Sequence, residues 1–289
     1  MRYKQTKKLS NREFKRLVGV QRRTFDEMVK VLQDAASVKQ TRGCPKKLDL
    51  EDQALICLQY WREYRTYFHI ATDWLVSEST VCRTVHWVET TLISSGRFRL
   101  GGKKSLLTSS QKPKTVVMDV TKSQIERPKH GQKRFYSGKQ KRHTLKSQLI
   151  IDLATLEIRC VVSGEGRKHD YKLFVESKIH FHPDTESLED SGYQGISKLH
   201  ANSNLPKKKP RGGKLTNVQK QSNRTLARRR VVIEHINRRL KVFRILSQRY
   251  RNRRKRFGLR SHLIAGIYNY ELQTANKSYI AFPGLVRYS

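Results

Sequence analysis

Negative charge is scarce in this chain. Its 289 residues hold 61 Lys and Arg against 24 Asp and Glu, a formal net charge of +37. Solubility does not require such an excess, so it points to a polyanionic partner. Long apolar runs are also missing. None approaches the ~20 residues that a bilayer-crossing helix needs, which favours nucleic acid over membrane. The basic start, Met1 to Lys8, is not followed by an apolar stretch. No secretory signal is read there, and a cytoplasmic setting, nucleoid-associated in a bacterium, is expected. Cysteine is sparse: Cys44, Cys57, Cys82 and Cys160, with no CxxC pair and no His cluster at zinc-finger spacing. That argues against a disulfide framework and a structural zinc site, and for reduced, buried thiols. Aromatics are not scarce. Trp61, Trp74, Trp87 and 12 Tyr indicate packed cores, unlike a small ribosomal or chromatin-packing protein.

The few acidic residues are unevenly placed. None lies between Glu89 and Asp119, and only Glu234 lies between Asp190 and Glu271. Glu234 sits in ARRRVVIEHINRRLKVFRIL, Ala227 to Leu246, among many arginines. On a helix Arg230, Glu234 and Lys241 share a face, because offsets of four and seven residues stay within about 40° of each other. Ile233, Ile236, Leu240 and Phe243 form the opposing apolar stripe. One carboxylate is therefore presented among cations, where phosphates would also come. The bland alternative is a surface pair with Arg230 or Arg238, worth only a few tenths of a kcal/mol.

Taken in order, residues 11 to 35 read as a helical pair and Thr41 to Lys47, with Gly43 and Pro45, as a break. Asp49 to Tyr64 reads as a helix with Asp49 as N-cap. Tyr67 to Thr91 reads as a helix-turn-helix. Ile70, Ala71 and Trp74 bury its first helix, Ser77-Glu78-Ser79 makes the turn, and Val81 and Val85 bury the second. Thr80, Arg83 and Thr84 are expected on the outer side of that second helix, where a recognition helix meets base edges. An ordinary helical hairpin is the competing reading, and the net charge weakens it. These helices make up a domain over residues 1–97. Residues 98–114, with Gly101, Gly102, Pro113 and several Ser and Thr, read as a linker.

The periodicity then changes. Thr115 to Asp119 is a β-type run that ends in aspartate, Arg134 to Ser137 and His143 to Asp152 read as adjoining strands, and Ile158 to Ser163 as another. His169 to Glu176 reads helical. Leu188 to Tyr193 reads as a short strand with Asp190 near its end. Residues 198–223 lack an apolar face and read as a basic loop. Phe257 to Leu272 is a last packing helix. The second domain spans 115–275, and 276–289 is a tail.

Strands followed by helices, with Asp119 ending the first strand, resemble an RNase H-like α/β core. VVMDVTKSQIERP, GRKHDYKLF, DSGYQGI and Arg230-x3-Glu234-x6-Lys241, in that order, are similar to the catalytic domain of DDE transposases. The resemblance is to the insertion sequence five family and its harbinger-like relatives, and it covers Thr115 to about Leu272. It implies an RNase H-like catalytic core preceded by an all-α helix-turn-helix domain. It implies a catalytic and metal-binding triad of Asp119, Asp190 and Glu234, with Arg230 and Lys241 as basic DNA-contacting partners. It implies two Mg²⁺ or Mn²⁺ ions, double-stranded DNA (element ends and target) as partner, and a homodimer or higher assembly, since two ends are handled together. The chemistry suits the residue types, because hard divalent ions take oxygen ligands and two of them can activate a nucleophile and stabilise a leaving oxygen.

His169-Asp170 matches the family's recurrent His-Asp pair and reads as a support to the site, with Asp170 capping a helix. Asp170 is the competitor to Asp190 for the second metal position. Asp119 alone reads as a strand-end residue and Asp190 alone as part of an Asp-Ser-Gly turn. Ala227 departs from the family's Tyr, and HPDTESLED is more acidic than a buried strand of the fold. The alternative function is therefore a catalytically inactive DNA-binding derivative or regulator, and a further one is a nuclease that cuts without joining. The basic stretches Lys129 to Arg142, Lys207 to Lys214 and Arg249 to Arg256 are expected to neutralise phosphates.

Overall fold

The computed structural model describes residues 2–37, 47–108, 110 and 112–276. The break expected at Thr41 to Lys47 lies outside the described residues except for Lys47. So do Cys44 and, apart from Asn276, the tail.

Among the described residues of the first half are six helices: α1 (Tyr3–Thr6), α2 (Asn11–Val18), α3 (Arg22–Ser37), α4 (Leu50–Glu63), α5 (Tyr67–Trp74) and α6 (Glu78–Ser94). Helix α2 opens on a Ser10/Glu13 capping box and closes on Gly19 at φ 87°. A β-carbon on Gly19 would approach Phe243 to 2.8 Å, so glycine there serves both the left-handed C-cap and a close contact. Helix α4 is central and buried from Asp52 to Trp61. Asp49 holds its N-cap position, but its side chain makes no capping bond. Asp52 instead accepts from the Tyr3 N–H (2.8 Å) and from Arg2 (2.9 Å), tying the N-terminus down. Thr66 caps α5 and Ser77 caps α6, each accepting from the backbone N–H three residues on. Trp74 donates to Gln59 (2.8 Å), so the helix-turn-helix packs on α4 through a satisfied indole.

The second half contains β1 (Thr115–Gln124), α7 (Gln132–Phe135), β2 (Tyr136–Ser137), β3 (Arg142–Asp152), β4 (Ile158–Glu165), α8 (Asp170–Ser177), β5 (Glu186–Leu188), β6 (Ser203–Asn204), α9 (Asn217–Leu240), α10 (Arg244–Ser247) and α11 (Phe257–Asn276). Strand β1 pairs antiparallel with β3, which pairs antiparallel with β2 and β4. On its other side β1 pairs parallel with β5, and β5 with β6. An antiparallel meander joined to parallel strands, with α9 on one face, is the RNase H-like arrangement expected from the sequence.

Several bounds differ from expectation. Strand β1 runs on to Gln124, so Asp119 lies mid-strand, because Val120 to Gln124 keep their ladder with β3 through Thr144. Arg134 and Phe135 lie in a helical turn, not a strand. The strand expected over Leu188 to Tyr193 stops at Leu188, and Ser191–Tyr193 form a 3₁₀ turn capped by Asp190. The expected loop 198–223 ends early: a Thr216/Gln219 capping box starts α9 at Asn217, ten residues before Ala227. At the far end α9 stops at Leu240 with Lys241 as C-cap, so Phe243 caps α10 rather than extending the helix.

The linker over 98–114 is not a loose tether. Phe98, Leu100 and Leu106 are buried, and a β-carbon on Gly266 of α11 would sit 1.8 Å from the Phe98 carbonyl oxygen. One apolar cluster runs from Phe14 and Trp61 through Leu92 and Phe98 to Val117, Ile233 and Ile267. The two expected domains thus share a core. Among the described residues the cysteines are free thiols, with Cys57 and Cys160 buried and Cys82 partly exposed.

Candidate active site

The parallel register of β1 and β5 brings two aspartates together. Val117 pairs with Leu188, so Asp119 and Asp190 each stand two residues beyond a matched pair. Asp190 keeps extended backbone at φ −79° and ψ 163°. Side chains alternate along extended chain, so Asp119 on β1 and Asp190, just past the end of β5, both leave on the face of Val117 and Leu188.

Helix α9 covers that face. Its apolar residues Val232, Ile233, Ile236 and Leu240 are buried. Arg229 donates to Glu186 (2.7 Å), which also accepts from Thr115 (2.9 Å). Asn237 donates to Asp119 (3.2 Å). These contacts fix the helix so that the exposed Glu234 looks into the same cleft. The cleft, of about 630 Å³, is lined by Asp119, Asp190, Glu234 and Asp170, with Lys122, Lys139, Arg238 and Lys241 around them. Glu234 makes no ion pair with Arg230 or Arg238 among the described residues, so its surface-pair reading does not describe it.

Burial raises the Asp119 carboxyl above its usual range. The Val120 N–H and the Arg230 charge oppose that, and the Asp190 and Glu234 charges add to it. The three acids are close enough to act on one another. Yet among the described residues no three His, Cys, Asp or Glu side chains stand together tightly enough to hold a metal ion. Three oxygen-donor side chains around one cleft are the right type for a hard divalent ion.

Asp170 is committed elsewhere. It is the first residue of α8, but its carboxylate pairs with Lys146 (2.6 Å) and makes no capping bond, and Lys146 also reaches the Lys168 carbonyl. His169 is the exposed N-cap residue of α8. Asp190 accepts from the Ser191 N–H and makes no ion pair among the described residues. Glu189 is buried, and among the described residues neither carboxylate oxygen finds a hydrogen-bond partner. Burial pushes its carboxyl up to about 7, against only partial opposition from Ser187 and Arg230.

In the helix-turn-helix, Arg83 is exposed and Thr80 partly exposed, with the Thr80 hydroxyl bonded to Ser77 (2.8 Å). Thr84 is not offered outward as expected. It is 7% exposed, one turn inward of Arg83 towards the buried Val81, Val85 and Val88. Arg230 is half-buried with its Nε unpartnered, and Lys241 is exposed at the α9 C-terminus.

Asn237, Lys146 and Glu189 were not anticipated. Asn237 was findable, since it lies three residues after Glu234 on the same helix. Lys146 stands out as a charge within the run HTLKSQLIID. Nothing in the sequence marks Glu189 as buried. Two acids of the run before Asp190 are matched by cations: Asp184 pairs with Lys112 (2.6 Å) and Glu186 with Arg229.

Comparison with known proteins gives two family matches. The DDE superfamily endonuclease model matches residues 118–269, and the helix-turn-helix of DDE superfamily endonuclease matches residues 46–98. The chain is 54% identical over 272 residues to a protein of Microchaete diplosiphon named "Probable transposase for insertion sequence element IS702", covering 94% of this chain and 99% of that one. It is 27% identical over 233 residues to a Streptomyces albus G protein named for a transposase of insertion sequence element IS112, covering 79% and 83%. No solved structure matches.

Proposed function

This chain belongs to the DDE superfamily of transposases and endonucleases, and from that membership we propose that it binds the ends of an insertion sequence, cleaves phosphodiester bonds there and joins the 3′ ends to target DNA. The observation that carries the proposal is the shared cleft of Asp119, Asp190 and Glu234 between the parallel strand ends and α9. Family membership implies divalent-metal dependence. In the reading proposed here the ions are two Mg²⁺ (or Mn²⁺), held by Asp119, Asp190 and Glu234. When bound, such ions supply charge neutralisation at the scissile phosphate and lower the pKa of a water or 3′-hydroxyl.

The chain's own residues do the rest. Asn237 orients Asp119. Arg229, through Glu186, holds α9 so that Glu234 faces the strands. Arg230 and Lys241 attract the DNA phosphates. Lys146 keeps Asp170 out of competition with Asp190, and His169 starts the helix that carries Asp170. In the helix-turn-helix, Arg83 and Thr80 face the element end, and the buried Thr84 supports them from within. The protein acts as a homodimer or higher assembly on double-stranded DNA, because two ends must be joined in one event. No helix among the described residues is long and apolar enough to cross a membrane.

The second reading is a DNA-binding derivative that does not cleave, in which only the helix-turn-helix matched over residues 46–98 would still function. Strand transfer with Mg²⁺, comparing wild type with Glu234→Gln, separates the two. The transposase reading expects activity in the wild type and at least a ~1000-fold loss in the variant, about 4 kcal/mol of barrier. Equal rates would remove Glu234 from the machinery. DNA binding without cleavage in both would leave the regulator.

A further inference from the structure

The stretch from Arg249 to Arg256 combines charge, strain and anchoring. Arg253, Arg254 and Arg256 take φ values of 44°, 68° and 60°, a left-handed region that side chains with a β-carbon avoid. A loop needed only for solvated charge would relax out of it. This one is held from several sides. The Tyr250 N–H donates to the Gln124 carbonyl (2.7 Å) at the end of β1. Arg251 reaches the Tyr64 carbonyl, and its N–H donates to the Tyr64 hydroxyl (2.6 Å). Asn252 donates to Tyr60 (2.6 Å). Arg256 grips α6 through Glu89 (2.6 Å), Thr90 (3.0 Å) and the His86 carbonyl (3.3 Å).

The anchors face inward and the remaining cations face out. Arg249, Arg253, Arg254 and Lys255 are exposed. The Arg254 guanidinium lies over the Phe135 ring, 4.5 Å from its centroid. Of the whole stretch only Arg256 meets a carboxylate among the described residues. The exposed cations thus stand on a fixed backbone at the seam between the recognition helix α6 and the far end of β1, the strand that carries Asp119. Gln124 lies five residues beyond Asp119, about 17 Å along an extended strand. A duplex that runs from α6 to the Asp119 cleft of the same protomer would cross this seam.

We propose that Arg249, Arg253, Arg254 and Lys255 form a pre-set binding ledge for the phosphate backbone of the element-end duplex between its recognition sequence and its cleavage point. The proposal rests on the end-binding reading above and adds a site to it. The ledge sets the span between the sequence read and the bond cut, because both α6 and β1 are tied to the same rigid loop.

The test uses full-length protein and a labelled duplex carrying the terminal repeat of its own element. A triple variant, Arg249→Gln, Arg253→Gln and Lys255→Gln, leaves every anchor in place. A control triple, Lys8→Gln, Arg12→Gln and Arg16→Gln, removes the same charge from helix α2 and the turn before it. The ledge variant should lower the slope of log affinity against log salt by about 2 to 3, at roughly 0.9 per lost phosphate contact. It should lose hydroxyl-radical protection only in the tract between recognition sequence and cut. A slope and footprint equal to wild type, or a change matched by the control triple, would overturn the ledge while end binding stands. If wild-type protein protects no terminal repeat, the end-binding reading fails and the ledge fails with it.

Discussion

Asp119 is half-buried against Asn237, and burial raises its carboxyl. At neutral pH the ionised form is held at a cost to the metal-free protein. Asp119→Asn should therefore abolish cleavage and yet raise the melting temperature in EDTA by a few degrees, at roughly 2–4 °C per kcal/mol for a chain of this size class. Differential scanning calorimetry checks it, and a lowered melting temperature would argue against the burial penalty. Glu189 extends the same logic to pH. Its folded-state carboxyl stands at about 7 against an ordinary 4.5. A raised carboxyl binds protons in the folded state, so its contribution is complete below about 4.5 and is lost as pH rises through 7. That gap corresponds to about 3 kcal/mol. Metal-free protein should lose up to that much stability between about pH 5 and 8, and Glu189→Gln should flatten the profile in urea titrations. Asp119 and Glu234 were visible in the sequence as isolated acids. Glu189 was not, since nothing local says which of two adjacent acids turns inward.

Helix α11 shows how elements are fitted to each other. Gly266 lets its backbone lie against the Phe98 carbonyl, where a β-carbon would be 1.8 Å from oxygen. Gly266→Ala gains helix propensity of about 1 kcal/mol, but it must push apart two backbone segments that cannot yield like a flexible side chain. A net loss of about 3 kcal/mol or more is expected in chemical denaturation, and a neutral or stabilising result would show that α11 can shift. The periodic elements were legible, because α3, α4, α6 and α11 each repeat apolar residues over several turns. The bounds of β5 and α9 were not. Strand β5 is three residues long and is defined by its neighbours. The first turns of α9 carry no stripe and depend on the Thr216/Gln219 cap.

The helical half and one face of the sheet share a core with a buried polar knot at its seam, while a second apolar cluster, including Met118, Ile150, Phe174 and Tyr193, lies on the other face of the sheet. Glu89 accepts from Trp61 (2.9 Å) and Arg260 (2.6 Å), and Arg260 continues to Tyr250 (2.7 Å). Glu89 and Arg260 are 0% and 1% exposed. Removing one partner leaves an uncompensated buried charge, so Glu89→Gln should cost about 3–5 kcal/mol. Because the knot joins α4 and α6 to α11, thermal unfolding of the wild type should be one transition, and residues 1–97 alone should fail to give a cooperative melt by circular dichroism. Two separated transitions, or a folded fragment, would restore the picture of independent domains.

The sequence by itself determined the polyanionic partner, the helix-turn-helix, the order of strands and helices, and the three acids in their family order. All of these depend on local periodicity, charge balance or motif spacing, which are written along the chain. Only the tertiary structure decided that Asp119 and Asp190 leave neighbouring strands on one face, that Lys146 occupies Asp170, that Thr84 is buried, and that the linker is part of the core. Those outcomes depend on strand register and on contacts between residues far apart in sequence, such as Glu89 with Arg260 and Gly266 with Phe98. No local pattern encodes them.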